Sequence, residues 1–269
     1  MTTVEKLNYL ISIKSDIKTA IENKGVDMTG VSFPGYASKI GDIASGIGYT
    51  DRDVIEARYQ YNIANSASFV YSSAFEYKLV KTVDLPNCLY VGSNAFYYCA
   101  SLTTVNLPVC TSLYSNAFRN CGILTSISLP KCSYVGRKAL FHCDSLTTIS
   151  LPVCTTLYDY AFRYCGILSS VSLPNVVRMS GYCFANCVSL QTISLPNCSY
   201  VSRYAFWNCT NLKTIYMGTA RSVVATMTQS NALLDCSALQ SIYVPASLVD
   251  SYKTASNWSY YSSKIVGFE

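Results

Sequence analysis

The amino-acid sequence predicts an α/β solenoid, with a parallel β-sheet on one face, short helical turns on the other, an N-terminal helical segment and a C-terminal helical cap. The first observation is that Leu-Pro pairs recur every 22 residues, with their leucines at positions 85, 107, 129, 151, 173 and 195. The second is a set of apolar positions in the same register, and the third is a helical pattern at each end of the chain. A fixed period of this size is typical of repeat proteins, in which similar units stack in one direction.

Each repeat begins with a predicted strand. In the unit "LTTVNLPVCTSL" at 102–113, Val105 and Leu107 alternate with polar residues and would both point inward. Pro108 ends the strand because it has no N–H group to donate to a neighbouring strand. The next segment, "YSNAFRNCGIL" at 114–124, is predicted to form a tight helical turn that buries Phe118.

Two apolar columns run through the repeats and predict one continuous core. The strand column contains Val83, Val105, Ile127, Ile149, Val171, Ile193, Ile215 and Ile242. The turn column contains Phe75, Phe96, Phe118, Leu140, Phe162, Phe184 and Phe206. No polar residue interrupts either column, so the stacked-coil interpretation holds over the whole repeat region.

The chain also repeats over 44 residues, since "CTSLYSNAFRNCGIL" at 110–124 returns as "CTTLYDYAFRYCGIL" at 154–168. Positions 92, 114, 136 and 158 alternate between Gly and Tyr, and positions 90, 112, 134 and 156 alternate between Tyr and a small hydroxyl residue. With coils about 4.8 Å apart, we expect a bulky side chain in every copy of these two rows to be strained. We interpret the two-coil unit as a packing solution.

The "AF…C…L…LP" form of these repeats resembles the BspA-like leucine-rich repeats of bacterial surface proteins and of phages that infect gut bacteria. The resemblance covers roughly residues 68–245. It implies a leucine-rich-repeat solenoid that acts in adhesion or binding rather than in catalysis.

The repeats leave a segment at each end. We predict an N-terminal helical segment at 1–46, the solenoid at 47–245, and a C-terminal helical cap at 246–269. The N-terminal segment resembles parts of tailed-phage virion proteins, which implies attachment or oligomerisation, and a simple cap is the alternative. Its candidate oligomer interface is the apolar stripe of Leu7, Leu10, Ile13, Ile17 and Ile21.

Thirteen cysteines and a single histidine argue against metal or catalytic chemistry. Most cysteines fall into two columns of the register, where equivalent side chains point in the same direction and do not face one another. We therefore expect buried, reduced thiols that pack as small apolar residues, with disulfides as the alternative. The sequence contains no cofactor, metal or catalytic-triad motif, so we predict no enzyme activity and no cofactor.

Charge and hydrophobicity along the chain argue against a nucleic-acid partner and against membrane insertion. The net charge of +5 is spread along the chain rather than gathered in a basic stripe, so no nucleic-acid partner is expected. No apolar run approaches the length of a membrane span, and the N-terminus lacks the pattern of a signal peptide. We expect no membrane insertion.

The turn side of the solenoid is the predicted ligand-binding surface. Tyrosine, tryptophan and arginine are common anchors at interfaces, and aromatic faces suit sugar rings, so a protein or a surface glycan is the expected ligand. The candidate residues are Tyr160, Tyr182, Tyr204, Arg119, Arg163 and Trp207. Two alternatives remain, because the tyrosines would also serve simply to cover the coil edges, and the Ser/Thr-rich strand face is a second flat surface.

These features predict a non-catalytic virion component of a phage, such as a tail or capsid fibre or decoration protein, made in the bacterial host cytoplasm. Its leucine-rich-repeat surface would bind a receptor or another protein. We expect a homo-oligomer, most simply a trimer, held by residues 1–46 and in contact with other virion proteins. The alternatives are a bacterial surface adhesin of the BspA-like type and an intracellular scaffold.

Overall fold

The structure, a computed structural model, describes residues 68–218 and 222–268. The chain winds into stacked coils whose equivalent strands pair in parallel, which confirms the predicted solenoid. The N-terminal segment at 1–46, with the stripe from Leu7 to Ile21, lies outside the described residues, and its predicted role stays a prediction. No helix of the described part is long and apolar enough to cross a membrane.

One side of the solenoid, here called face A, is an eight-stranded parallel sheet of two-residue strands. Its strands are β1 (Phe69–Val70), β3 (Tyr90–Val91), β5 (Ser112–Leu113), β7 (Tyr134–Val135), β9 (Thr156–Leu157), β11 (Arg178–Met179), β13 (Tyr200–Val201) and β15 (Thr226–Met227). The second residue of each strand is buried. The sequence pattern does not mark these strands, because one inward residue per strand leaves no alternation of apolar and polar residues.

The predicted strands form a second side, here called face B, which also includes one strand at 265–268, where the sequence predicted only a helical cap. They are β2 (Thr82–Asp84), β4 (Thr104–Asn106), β6 (Ser126–Ser128), β8 (Thr148–Ser150), β10 (Ser170–Ser172), β12 (Thr192–Leu195), β14 (Thr214–Met217), β16 (Ser241–Pro245) and β17 (Ile265–Phe268). They pair in register in sheets of three, two and four strands, and β6 lies beside β8 and β10 beside β12. The coil therefore has two parallel sheets where the sequence predicted one.

The third side consists of residues 93–102 and their equivalents in the other coils, and is here called the turn side. This segment is a series of turns rather than the predicted helical turn. The N–H of Tyr97 donates to Asn94 O three residues back (3.0 Å), whereas the N–H of Phe96 donates to Ala117 O in the next coil (2.8 Å). The alternation recurs along the stack, so these turns also hold neighbouring coils together, which a helix hydrogen-bonded within itself would not do.

The predicted apolar columns form the core. The ring of Phe96 stacks on Phe75 and on Phe118 with centroids 5.0 Å apart and planes within 2°. All residues of both columns are buried except Val171, which is partly buried. Since rings repeat at the spacing of the coils, each one packs directly on the ring of the neighbouring coil.

All thirteen cysteines are buried, and none forms a disulfide. Seven of them share one arrangement, in which the thiol donates to a carbonyl of the preceding coil, as from Cys121 Sγ to Phe96 O (3.2 Å). Burial raises the pKa of the Cys154 thiol to about 11 and that of Cys165 to about 12. These side chains are protonated and serve as small core residues with a weak donor.

A helix, α1 (Val249–Thr254), and three short 3-10 segments, at Ser230–Leu233, Ala246–Leu248 and Ser259–Lys264, belong to the C-terminal part. Two buried aromatic residues, Tyr252 within α1 and Trp258 after it, cover the last coil of face A. Ala225 N donates to Tyr252 Oη (3.0 Å), and Trp258 Nε1 donates to Ala225 O (2.7 Å). Side chains thereby replace the next strand as partners of the backbone beside β15.

Candidate ligand-binding surface

Three tyrosines of successive coils form a stack on the turn side. The rings of Tyr160 and Tyr182 lie 4.9 Å apart at 12°, and those of Tyr182 and Tyr204 lie 4.8 Å apart at 17°. All three side chains are half-buried. Their hydroxyls form no hydrogen bond with described residues and are not buried, so they reach the solvent. The structure thus brings together three of the predicted site residues.

The backbone at these positions does not favour tyrosine. Tyr160, Tyr182 and Tyr204 have φ of 63°, 60° and 56°, in the left-handed region. This conformation costs an L-residue roughly 1–2 kcal/mol, and asparagine tolerates it better. Asn94 and Asn116 occupy the equivalent positions in earlier coils. The tyrosines therefore reflect a requirement of the stack or of the surface rather than of the turn.

Arg163 lies against this stack. Its guanidinium carbon is 5.5 Å from the ring centroid of Tyr160, 5.2 Å from that of Tyr182 and 5.6 Å from that of Trp207. It is also 4.7 Å from the ring of Tyr164, whose hydroxyl accepts a hydrogen bond from Arg163 Nη2 (3.0 Å). Five of the six predicted residues therefore form one cluster of rings around one cation.

Arg119, the sixth predicted residue, lies in a separate but similar arrangement. Its guanidinium carbon is 5.3 Å from the ring of Tyr97 and 5.2 Å from the ring of Phe141, which belong to the coils on either side. It forms no hydrogen bond with a described residue. The structure does not bring Arg119 into the tyrosine stack, but it repeats the pairing of an arginine with aromatic rings.

Two cations of this surface were missed from the sequence. Lys138 Nζ lies 5.4 Å from the ring of Tyr160, and the guanidinium of Arg137 lies 5.6 Å from the same ring. Burial, together with the charges of Arg119, Arg137 and Arg163, holds the pKa of Lys138 below its usual value. Lys138 occupies the same register position as Tyr160, which is the signal that would have placed it on this surface.

The positive charge of this surface is not neutralised within the described chain. Arg119, Arg137, Lys138 and Arg163 form no ion pair with any described carboxylate. Aspartates of the turn segments have other partners: Asp159 Oδ1 accepts from Gly181 N (2.8 Å), and Asp235 Oδ2 accepts from Trp207 Nε1 (2.8 Å). The cations are therefore available to an external anion.

His142 lies on the same side without a catalytic arrangement. Its Nδ1 is 3.1 Å from Asp144 Oδ1, and its ring stacks on Tyr164 with centroids 4.3 Å apart. No described hydroxyl or thiol is hydrogen-bonded to it. Residues 68–218 and 222–268 also contain no group of three or more His, Cys, Asp or Glu side chains placed to hold a metal ion.

A second aromatic row runs along face A. Its members alternate between two register positions, so that Tyr114 lies 5.9 Å from Tyr90 and 5.8 Å from Tyr134, measured between ring centroids. A Cβ atom on Gly136 would lie 2.8 Å from Leu113 O of the preceding coil. The coils in which position 92 or 136 has no room for a side chain therefore carry their ring two residues earlier, at Tyr90 or Tyr134. This alternation over 44 residues agrees with the packing interpretation.

Comparison with known proteins identifies the repeat. Residues 68–178 and 134–265 match the sequence profile of the BspA type leucine rich repeat region, in six copies. Three similar solved structures are a leucine rich cell surface protein of Faecalibacterium prausnitzii, a leucine-rich repeat protein of Bacteroides ovatus and a leucine rich repeat protein of T. pallidum. Each is 19% identical in sequence, with TM-scores of 0.35, 0.38 and 0.40 in that order.

The matched regions cover 67%, 67% and 75% of this chain and 64%, 62% and 86% of those proteins, in the same order. The chain thus spans less than two thirds of the length of the first two. No curated protein matches the sequence.

Proposed function

The chain belongs to the family of BspA-type leucine-rich-repeat proteins, and from this premise we propose that it is a non-catalytic binding protein that attaches to a protein or glycan through its turn side. The observation that carries the proposal is the stack of Tyr160, Tyr182 and Tyr204 around Arg163. The stack lies on the outside of the solenoid, at positions where the backbone itself favours other residues.

The geometry of the stack suits binding because little freedom is lost when a ligand docks. Each ring is held against the ring of the next coil, so the surface is ordered before it meets a partner. Large aromatic side chains and arginine account for much of the energy of protein interfaces. The solenoid repeats these groups along one line, which favours an extended ligand over a small one.

Two settings for this surface are supported by different observations. Membership of the BspA-type family favours a bacterial surface adhesin. The sequence pattern of residues 1–46 favours a virion component of a phage. Quantitative mass spectrometry of a washed cell-surface fraction and of purified virions from the source strain separates them, since the protein should be enriched in one of the two.

The binding role is tested with a triple variant, Tyr160→Asn, Tyr182→Asn and Tyr204→Asn, which copies the residues at 94 and 116 and should leave the coils folded. Fluorescently labelled protein is added to bacterial and epithelial cells, and bound protein is measured by flow cytometry. We expect the triple variant to lose most of its binding.

The matched control removes tyrosines from face A, with Tyr114→Ser and Tyr158→Ser, which copy Ser180 and Ser202 at the same register position. This control should bind as the unchanged protein does. If the triple variant binds normally, or both variants lose binding equally, the turn side is not the binding surface.

A further inference from the structure

We infer that the turn side binds a linear acidic polysaccharide that carries a carboxylate on every second sugar, with Arg119 and Arg163 each receiving one carboxylate. This inference rests on the proposed function, because it names the ligand of the same surface. The observations behind it are the orientation of the two guanidinium groups, their separation, and the absence of an ion pair between them and any carboxylate of the described residues.

Each arginine is held by aromatic rings so that part of its donor fork remains open. For Arg119, the rings of Tyr97 and Phe141 lie on the two neighbouring coils at similar distances, 5.3 and 5.2 Å. The Nε atoms of Arg119 and Arg163 are buried without a partner, whereas no terminal nitrogen of either is buried and unpaired. The unused terminal N–H groups therefore reach the solvent, where a planar carboxylate can accept from them.

The separation of the two arginines follows from the 44-residue repeat. Both lie in the sequence "AFR", two coils apart, which corresponds to a spacing of about 10 Å along the stack. This distance is comparable with the length of a disaccharide. An extended peptide places successive side chains of one face only about 7 Å apart, so its acidic residues would not match the two sites.

The surroundings of the two sites favour a hydrated chain over a peptide with apolar anchors. The faces of the stacked tyrosine rings cover one another, so the surface offers ring edges, solvent-exposed hydroxyls and cations. Two clefts lie elsewhere on the solenoid. One is lined by face A residues such as Arg178 and Tyr200, and the other by face B residues such as Asp84 and Asn106, so neither includes the tyrosine stack. A sugar chain provides hydroxyl groups for such a surface and carboxylates for the cations.

The experiment measures binding of the full-length protein to hyaluronan fragments, in which carboxylates occur on alternate sugars, by isothermal titration calorimetry. Dextran serves as the neutral polysaccharide and poly-L-glutamate as the acidic polypeptide. We expect binding to hyaluronan that weakens with added salt, and at least tenfold weaker binding to the other two.

Arg119→Lys and Arg163→Lys test the sites themselves, because each keeps the charge and removes the planar fork. Each should weaken hyaluronan binding by about tenfold, since hydrogen bonds to charged groups contribute this much. Arg178→Lys is the control. The guanidinium of Arg178 lies 3.8 Å from the ring centroid of Tyr200 on face A, so its replacement should leave hyaluronan binding unchanged. Melting temperatures of the three variants establish that each is folded.

Equal affinity for poly-L-glutamate or dextran, or unchanged hyaluronan binding in both arginine variants, would overturn the inference. So would a protein that binds cells through its tyrosine stack but not hyaluronan, and in that case the proposed function would stand. If the triple tyrosine variant bound cells as well as the unchanged protein does, the proposed function itself would be wrong.

Discussion

Positions 96, 118, 162, 184 and 206 require a large apolar side chain, because each of these rings packs face to face on a ring of a neighbouring coil. Phe118 is fully buried and its ring contacts that of Phe96. Leu140 occupies the same column one coil later and is also fully buried. The column therefore accepts an aliphatic residue of adequate volume but not a cavity.

Truncation of one ring should be costly. We expect Phe118→Ala to lower the free energy of unfolding by about 3–5 kcal/mol, since it leaves a cavity between two coils. Phe118→Leu, which copies Leu140, should cost clearly less because most of the volume is kept. Urea denaturation followed by circular dichroism measures both. Similar stabilities for Phe118→Ala and the unchanged protein would contradict the stacked core.

The buried thiols make the stability of the protein depend on pH in the alkaline range. An exposed thiol has a pKa of about 8.5, whereas burial raises that of Cys154 to about 11 and that of Cys165 to about 12. A raised pKa in the folded state means that the folded protein holds the proton more tightly. The stabilisation is therefore complete below about pH 8.5 and is lost as pH rises towards the folded values.

We expect the free energy of unfolding to fall between pH 8 and pH 9.5, by at most about 1.4 kcal/mol per pH unit for each such thiol. Urea denaturation at the two pH values, with a reductant present, measures the difference. As a control, thiol titration at pH 8 should count thirteen reactive groups in denaturant and few in the native protein. Equal stability at both pH values, or disulfides detected by mass mapping, would contradict this prediction.

At the scale of the element, face A is governed by the distance between backbones of neighbouring coils. An added Cβ at Gly92 would lie 2.6 Å from Ser72 N, and one at Gly136 would lie 2.8 Å from Leu113 O. Tyr114 of the intervening coil extends over the surface and contacts Tyr90 and Tyr134 of the two coils that carry these glycines. Two neighbouring coils therefore form the true packing unit of this sheet, which explains a sequence repeat of 44 rather than 22 residues.

Gly136→Ala should consequently lower the free energy of unfolding by about 1–3 kcal/mol, because the methyl group meets backbone that has little freedom to move. The matched control is Gly166→Ala, since a Cβ there would have no atom within 4 Å. Thermal unfolding of the two variants and the unchanged protein decides the matter. A destabilisation shared by both alanine variants would indicate a general effect of glycine replacement rather than a clash.

At the scale of the whole molecule, a solenoid must close its ends, because each coil is stabilised mainly by its neighbours. The C-terminal end does so with Trp258 and Tyr252, which satisfy the backbone of Ala225 beside the last strand of face A. Asn257 Nδ2 donates to Met227 O in the same way (2.9 Å). Side chains thus limit the growth of face A at this end.

The whole protein is predicted to be a homo-oligomer held by residues 1–46. Leu10→Asp together with Ile17→Asp should convert the oligomer to a monomer, because two charges would lie within the apolar stripe. Light scattering at tens of micromolar protein measures the mass of both forms. Ser15→Asp, on the opposite side of the predicted helix from the stripe, is the control and should keep the oligomer. An unchanged protein that is already monomeric would contradict the prediction.

The stacking direction, the two core columns and the C-terminal helical cap were predictable from the sequence, because a strict 22-residue register places equivalent residues above one another whatever the shape of the coil. The predicted site residues were likewise recognisable by register, since Tyr160, Tyr182 and Tyr204 recur at one position. Each of these features depends only on spacing along the chain.

Three features could be seen only in the tertiary structure. They are the sheet of face A, the turns in place of the predicted helical turns, and the presence of Arg137 and Lys138 beside Tyr160. The strands of face A have a single inward residue each, so no alternation marks them, and the N–H groups of the turns divide their bonds between their own coil and the next. Arg137 and Lys138 meet Tyr160 of the next coil only because the coils stack closely. Such contacts between coils depend on side-chain direction and distance, which a one-dimensional pattern does not contain.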